Sequence, residues 1–195
     1  LKPALRFGQI IIDAGTSEPE STRCLAGELA PLGIAYADAP MTGGPEQAAS
    51  ADLGVLCGAS PETFESILPV LTCYATTVRH MGPVGSGHAA KLISNFLVTG
   101  MIALVAQAFG TARKSDIDWR NLYDVMLNGS GNSGVLRKMV APALDGDFEG
   151  YKFSLANAAK DIGYFKSLAS GLGMETTLVG AVEDVFSAAI AKGHG

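Results

Sequence analysis

The chain has 195 residues, 48% of them hydrophobic and 17% charged, enough apolar material to exclude intrinsic disorder as its main state. Lysine and arginine total 14 against 19 aspartates and glutamates, a net charge of -5, so no basic excess exists to track a phosphate backbone and nucleic acid is not an expected partner. Cys24, Cys57 and Cys73 form no CxxC or Cys/His cluster, which argues against a disulfide framework and suits a reducing, cytoplasmic setting.

The first half alternates strands and helices. Gln9–Asp13 is a short Ile-rich run without polar alternation, the pattern of a strand buried on both faces. Glu18–Leu32 has helical spacing, with Pro19 near its start and Gly33 just past its end. Strands are predicted over Gly33–Asp38, Leu53–Gly58 and Val78–Met81, with a helix over Pro61–Leu71 whose apolar face carries Phe64, Ile67, Leu68 and Leu71. Leu1–Gln9 leads into a strand-like run and not into a cleavage site, so no signal peptide is expected.

The second half has no strand signal. Ala89–Arg113 is apolar almost all round and contains no proline, which predicts a long helix buried on every side. Its most apolar part, Phe96–Phe109, falls short of the ~20 residues that cross hydrocarbon, so no membrane span is expected. Helices follow over Asp118–Leu127, Ser133–Leu144, Ser154–Ser170 and Thr176–Lys192. The expected fold class is therefore an α/β remnant of a Rossmann-like domain over residues 1–88, followed by an all-helical domain over 89–195.

Glycine is the compositional outlier, at 24 residues, and much of it lies beside polar groups. After the strand ending at Asp38, Thr42, Gly43 and Gly44 offer a hydroxyl and two residues whose N–H groups can approach an anion, which is also how an ordinary Gly-Gly turn looks. A second glycine-rich segment, Gly82–Lys91, opens the long helix. Lys91 and Asn95 stand four apart on one face of its first turns. An unpaired ammonium is costly to bury, so Lys91 either reaches a partner or lines a wet cleft, where it can act as general acid or base; a snorkelling lysine at a helix end is the plainer alternative. Thr16 and Ser17, after the first strand, suit a helix N-cap. Lys160 and Asp161 look like a solvated surface pair. His80, His88 and His194 are not spaced as metal ligands, and no metal is expected.

Taken in order, these segments resemble the β-hydroxyacid dehydrogenase family, with 3-hydroxyisobutyrate dehydrogenase among its members and 6-phosphogluconate dehydrogenase as a more distant relative. The resemblance runs from Ile10 to Gly195. It implies that Thr42, Gly43 and Gly44 correspond to the substrate-binding Ser-Gly-Gly turn, with Thr42 in place of the usual serine. It implies that Lys91 is the catalytic lysine and Asn95 the substrate-orienting asparagine of a K-x-x-x-N motif. Thr16, Phe153 and Lys160 then correspond to cofactor-contacting positions, and NAD or NADP is the implied cofactor. The implied substrate is a small carboxylate-bearing hydroxyacid, and a homo-oligomer, expected to be a dimer through the helical domain, is the implied assembly. The family's G-x-G-x-x-G unit is not in the chain, and Gly85-Ser86-Gly87 falls too late to replace it, so the chain is expected to be a fragment. Other readings are a non-catalytic helical dimerisation module, a 6-phosphogluconate dehydrogenase-like protein and an imine reductase-like relative. The imine reductase branch lacks the lysine.

Overall fold

A computed structural model describes residues 4–193, so His194 and Gly195 lie outside the described residues. Contacts group the chain into two interleaved compact units, Leu1–Ser94 with Gly163–Thr176 and Asn95–Ile162 with Thr177–Gly195.

The first unit is built on a five-stranded sheet. Strands β1 (Ile10–Asp13) and β2 (Ala35–Asp38) pair in parallel, Ile10 opposite Ala35 through Asp13 opposite Asp38. The crossover between them is α1 (Pro19–Leu29), extended by a 3-10 turn over Ala30–Leu32. Gly33 ends that turn in the left-handed region, at φ 68°. The chain then runs through Ala39 and Pro40 into β3 (Met41–Thr42), and both β2 and β3 pair antiparallel with β4 (Leu53–Gly58). The Leu56 N–H donates to the Pro40 carbonyl and closes the gap between them. Strand β5 (Ala75–Gly82) lies parallel on the other edge of β4. A short helix α2 (Pro45–Ala49) follows β3, and α3 (Pro61–Leu71) links β4 to β5. Ser60 caps α3 by accepting the Thr63 N–H. Ala37, Val55, Cys57, Ile67 and Leu71 form the core of the sheet, and Leu29, Ile34 and Tyr36 a second cluster beside α1.

Two sequence expectations change here. β1 lies at the edge of the described sheet, where its residues are half-buried or exposed, with Ile10 at 37%, so within this chain the run of isoleucines is not buried on both faces. The N-cap position of α1 is Glu18 and not Thr16 or Ser17, and the Glu18 side chain makes no capping bond.

The second unit is helical. It comprises the later part of α4 (Ser86–Lys114), α5 (Trp119–Leu127), α6 (Gly134–Leu144), the start of α7 (Leu155–Gly171) and α8 (Thr177–Ala191). Asp118 and Ser133 cap α5 and α6 by accepting the Asn121 and Leu136 N–H groups. Phe109, Tyr123, Leu136 and Val140 form its core.

The 29-residue α4 is longer than the apolar stretch suggested and, by length and composition alone, would suffice to cross a membrane. Nor is it buried all round. Leu92, Thr99 and Phe109 are buried, whereas Ile93, Leu97 and Leu104 are 57%, 64% and 71% exposed. Composition sets how apolar a helix is, but not which of its sides finds a neighbour.

Candidate active site

In the first unit the Thr42–Gly44 corner closes β3 and opens α2. Gly43 sits at φ 115°, a conformation that favours glycine, and a Cβ there would lie 2.9 Å from the Leu53 side chain. The Gly44 N–H donates to Gln47 Oε1 at 2.9 Å, so one of the two donors expected to meet an anion is held within the turn. Thr42 Oγ1 lies 3.5 Å from the Gly54 carbonyl oxygen, and a Cβ on Gly54 would come within 2.4 Å of that hydroxyl. Gly54 thus makes the room in which the Thr42 side chain sits. Gly54 is not singled out in the sequence reading; a glycine inside a strand pattern is the signal that could have found it.

The second glycine-rich segment is explained by Asp38, which is wholly buried. Its two carboxylate oxygens accept the Gly85 and His88 N–H groups, each at 2.7 Å, and so satisfy donors at the start of α4. A Cβ on Gly87 would lie 2.4 Å from the Leu56 carbonyl oxygen and 2.6 Å from that of Asp38. One on Gly58 would lie 2.5 Å from Asp38 Oδ1. Gly85–Gly87 is therefore not a phosphate cradle, because the chain's own carboxylate occupies it. Burial pushes the Asp38 carboxyl above its usual range, against the two N–H bonds and the His88 ring, which pull it down. His88 is also wholly buried. Thr22 Oγ1 lies 3.1 Å from the Glu18 carbonyl oxygen and shares a 2.7 Å hydrogen bond with His88 Nδ1. His88 Nε2 makes no hydrogen bond and lies 3.9 Å from Asp13 Oδ2. Asp13 accepts from the Gly15 N–H at 2.9 Å and from the Tyr36 hydroxyl at 2.8 Å. Burial, then that hydrogen bond and the Asp13 and Asp38 charges, push the Tyr36 phenol well up.

Lys91 stands half-buried in the second turn of α4, and Thr16 half-buried between β1 and α1. Both belong to the first unit, as does the Thr42–Gly44 corner; Asn95, Phe153 and Lys160 belong to the second. There the structure brings Asn95 to the adjacent pair Lys160 and Asp161, 65 and 66 residues further along the chain. Asn95 Nδ2 donates to Asp161 Oδ2 at 2.7 Å, and Lys160 Nζ lies 3.2 Å from Asp161 Oδ1. Asp161 is only 5% exposed, so the solvated pair expected from the sequence is a buried carboxylate with a half-exposed ammonium beside it. A carboxylate only accepts hydrogen bonds, so Asp161 turns the Asn95 amide nitrogen toward itself and leaves the amide oxygen to accept from elsewhere. Phe153 is half-buried just before α7. No group of three or more histidine, cysteine, aspartate or glutamate side chains that could hold a metal occurs among the described residues.

A family model described as the NAD-binding domain of NADP-dependent 3-hydroxyisobutyrate dehydrogenase matches residues 85–195, and one described as the NAD-binding domain of 6-phosphogluconate dehydrogenase matches residues 1–82. The chain belongs to the β-hydroxyacid dehydrogenase family. Among the relatives of this chain, 2-(hydroxymethyl)glutarate dehydrogenase of Eubacterium barkeri is 33% identical over 161 residues, 82% of this chain and 53% of that protein. L-threonate dehydrogenase of Pectobacterium atrosepticum is 30% identical over 192 residues, 98% of this chain and 63% of that protein. The chain thus spans between about half and two thirds of the length of these relatives. The structure of Mycobacterium tuberculosis 3-hydroxyisobutyrate dehydrogenase with L-serine superposes at TM-score 0.87 and 28% identity, over 98% of this chain and 68% of that one.

The cofactor class of such dehydrogenases is NAD or NADP. The residues present fit part of such a group by their donor chemistry. The Glu18 side chain does not cap the first turn of α1, and an N-terminal helical turn presents N–H donors of the kind that meet a phosphate. The Lys160 side chain is 42% exposed, and its ammonium is of the charge that pairs with an anionic group.

Proposed function

We propose that the protein to which this chain belongs transfers a hydride between NAD(P) and a small β-hydroxyacid such as 3-hydroxyisobutyrate, or reduces the matching semialdehyde. The observation that carries this reading is the Asp161-oriented Asn95, one helical turn beyond Lys91 on α4. In it, the Thr42–Gly44 corner holds the substrate carboxylate through the Thr42 hydroxyl and the turn backbone. Lys91 passes a proton to or from the reacting hydroxyl, and the Asn95 amide oxygen fixes that hydroxyl's direction. Thr16, Phe153 and Lys160 contact the cofactor, which supplies the redox chemistry when bound. The chain by itself, read as residues 1–88 of a Rossmann-like domain and 89–195 of a helical one, is expected to be inactive. We take α4 as a helix of a cytoplasmic enzyme and not as a membrane span, because Lys91, Asn95 and Thr99 fall inside it and polar groups are costly in hydrocarbon.

The test is Lys91→Ala in the full-length enzyme. Positioned acid–base catalysis is worth roughly 10²–10⁴-fold, so kcat should fall by about that factor while nicotinamide affinity holds. Turnover near that of the parent would refute the assignment. A second reading, a non-catalytic dimerisation module, is favoured by the exposed Ile93, Leu97 and Leu104 of α4.

A further inference from the structure

Within the helical unit, α4, α5, α6 and the segment before α7 line a cavity of about 320 Å³. Its size is at the lower end of the range of small-molecule sites, about 300–1,000 Å³. None of the candidate substrate, catalytic or cofactor residues lines it. Three features give it a chemical character.

The walls carry four aromatic rings, those of Phe109, Trp119, Phe148 and Tyr151. Phe109 meets Trp119 edge-on, with centroids 5.3 Å apart at 86°, and Phe148 meets the same indole at 6.5 Å and 75°. Phe148 is 70% exposed, an aromatic ring that gains little by standing in water. Trp119 Nε1 is buried and makes no hydrogen bond, which native interiors generally avoid. Arg113 also lines the cavity, and its guanidinium has no ion-pair or hydrogen-bond partner among the described residues. No aspartate or glutamate lines the cavity, so an anion there would meet no like charge from its walls.

We propose that this cavity binds a small aromatic monocarboxylate. The ring lies against Phe109, Trp119 and Phe148, the carboxylate pairs with Arg113, and a ligand oxygen accepts the Trp119 Nε1 proton. Guanidinium matches a carboxylate with two parallel N–H bonds, so charge and geometry select an acid over its neutral analogue. The site does not depend on the dehydrogenase reading.

Trp119 is the chain's only tryptophan, so its emission reports directly on the cavity. The full chain is titrated with 3-phenylpropionate and with the neutral 3-phenylpropan-1-ol. The expected result is a saturable emission change, with the acid bound at least tenfold more tightly than the alcohol. Arg113→Gln should erase that preference and leave alcohol binding unchanged. Ala143→Leu, which fills the cavity, should abolish both; if it does not fold by circular dichroism, Ala106→Val serves instead and should weaken both. No saturable change with the acid, equal affinity for acid and alcohol, or full acid affinity in Arg113→Gln would each overturn the proposal.

Discussion

The carboxylate of Asp161 accepts from Asn95 Nδ2 at 2.7 Å while Lys160 stands 3.2 Å from its other oxygen. The consequence for Asn95 can be separated from the charge. Asp161→Asn keeps the shape but presents a donor as well as acceptors, so the Asn95 amide can turn either way. A hydrogen bond to a charged group is worth roughly 1.5–3 kcal/mol, and losing part of it corresponds to about 5–30-fold. In the full-length enzyme, kcat/KM for the hydroxyacid should fall by that factor in Asp161→Asn and further in Asp161→Ala. Unchanged steady-state kinetics in Asp161→Asn would mean that Asn95 does not rely on the carboxylate for its direction.

The join between the sheet and α4 depends on closeness that only glycine allows. At Gly87 any Cβ meets two backbone carbonyl oxygens, of Leu56 and Asp38, and backbone cannot swing away as a flexible side chain would. Gly87→Ala must therefore push α4 off β4 and stretch the bonds from Gly85 and His88 to Asp38. Overpacking of this kind costs about 1–3 kcal/mol, or more where backbone must move. For a chain of this size that lowers Tm by roughly 2–12 °C. At Gly100, in the same helix, an added Cβ would have nothing within 4 Å. There, alanine gains about 1 kcal/mol of helix propensity and should raise Tm by a few degrees. Thermal unfolding followed by circular dichroism compares the two directly. Equal effects would show that the close approach at Gly87 does not hold the element in place.

On the scale of the molecule, most elements were legible because they carry local signals. Pro61–Leu71 is bounded by a capping serine and a proline, and the predicted and observed helices coincide. The two-residue β3 and five-residue α2 were not legible, since Thr42-Gly43-Gly44-Pro45 has the composition of a turn and pairing with β4 decides otherwise. Asp38 and Asp161 were missed as site-building residues because their partners stand 47 to 66 residues away in sequence. The side of α4 that lies bare was equally hidden. Leu97 and Leu104 are two turns apart on one face, 64% and 71% exposed, and apolar stripes of this kind mark association surfaces. If a second copy covers that face, the chain should sediment as a dimer at micromolar concentration, and Leu97→Glu with Leu104→Glu should shift it to monomer without lowering helix content. A charge buried against apolar surface is costly, so the shift should be large. A chain that sediments as a monomer before any substitution would instead leave this face to a different part of the full-length protein.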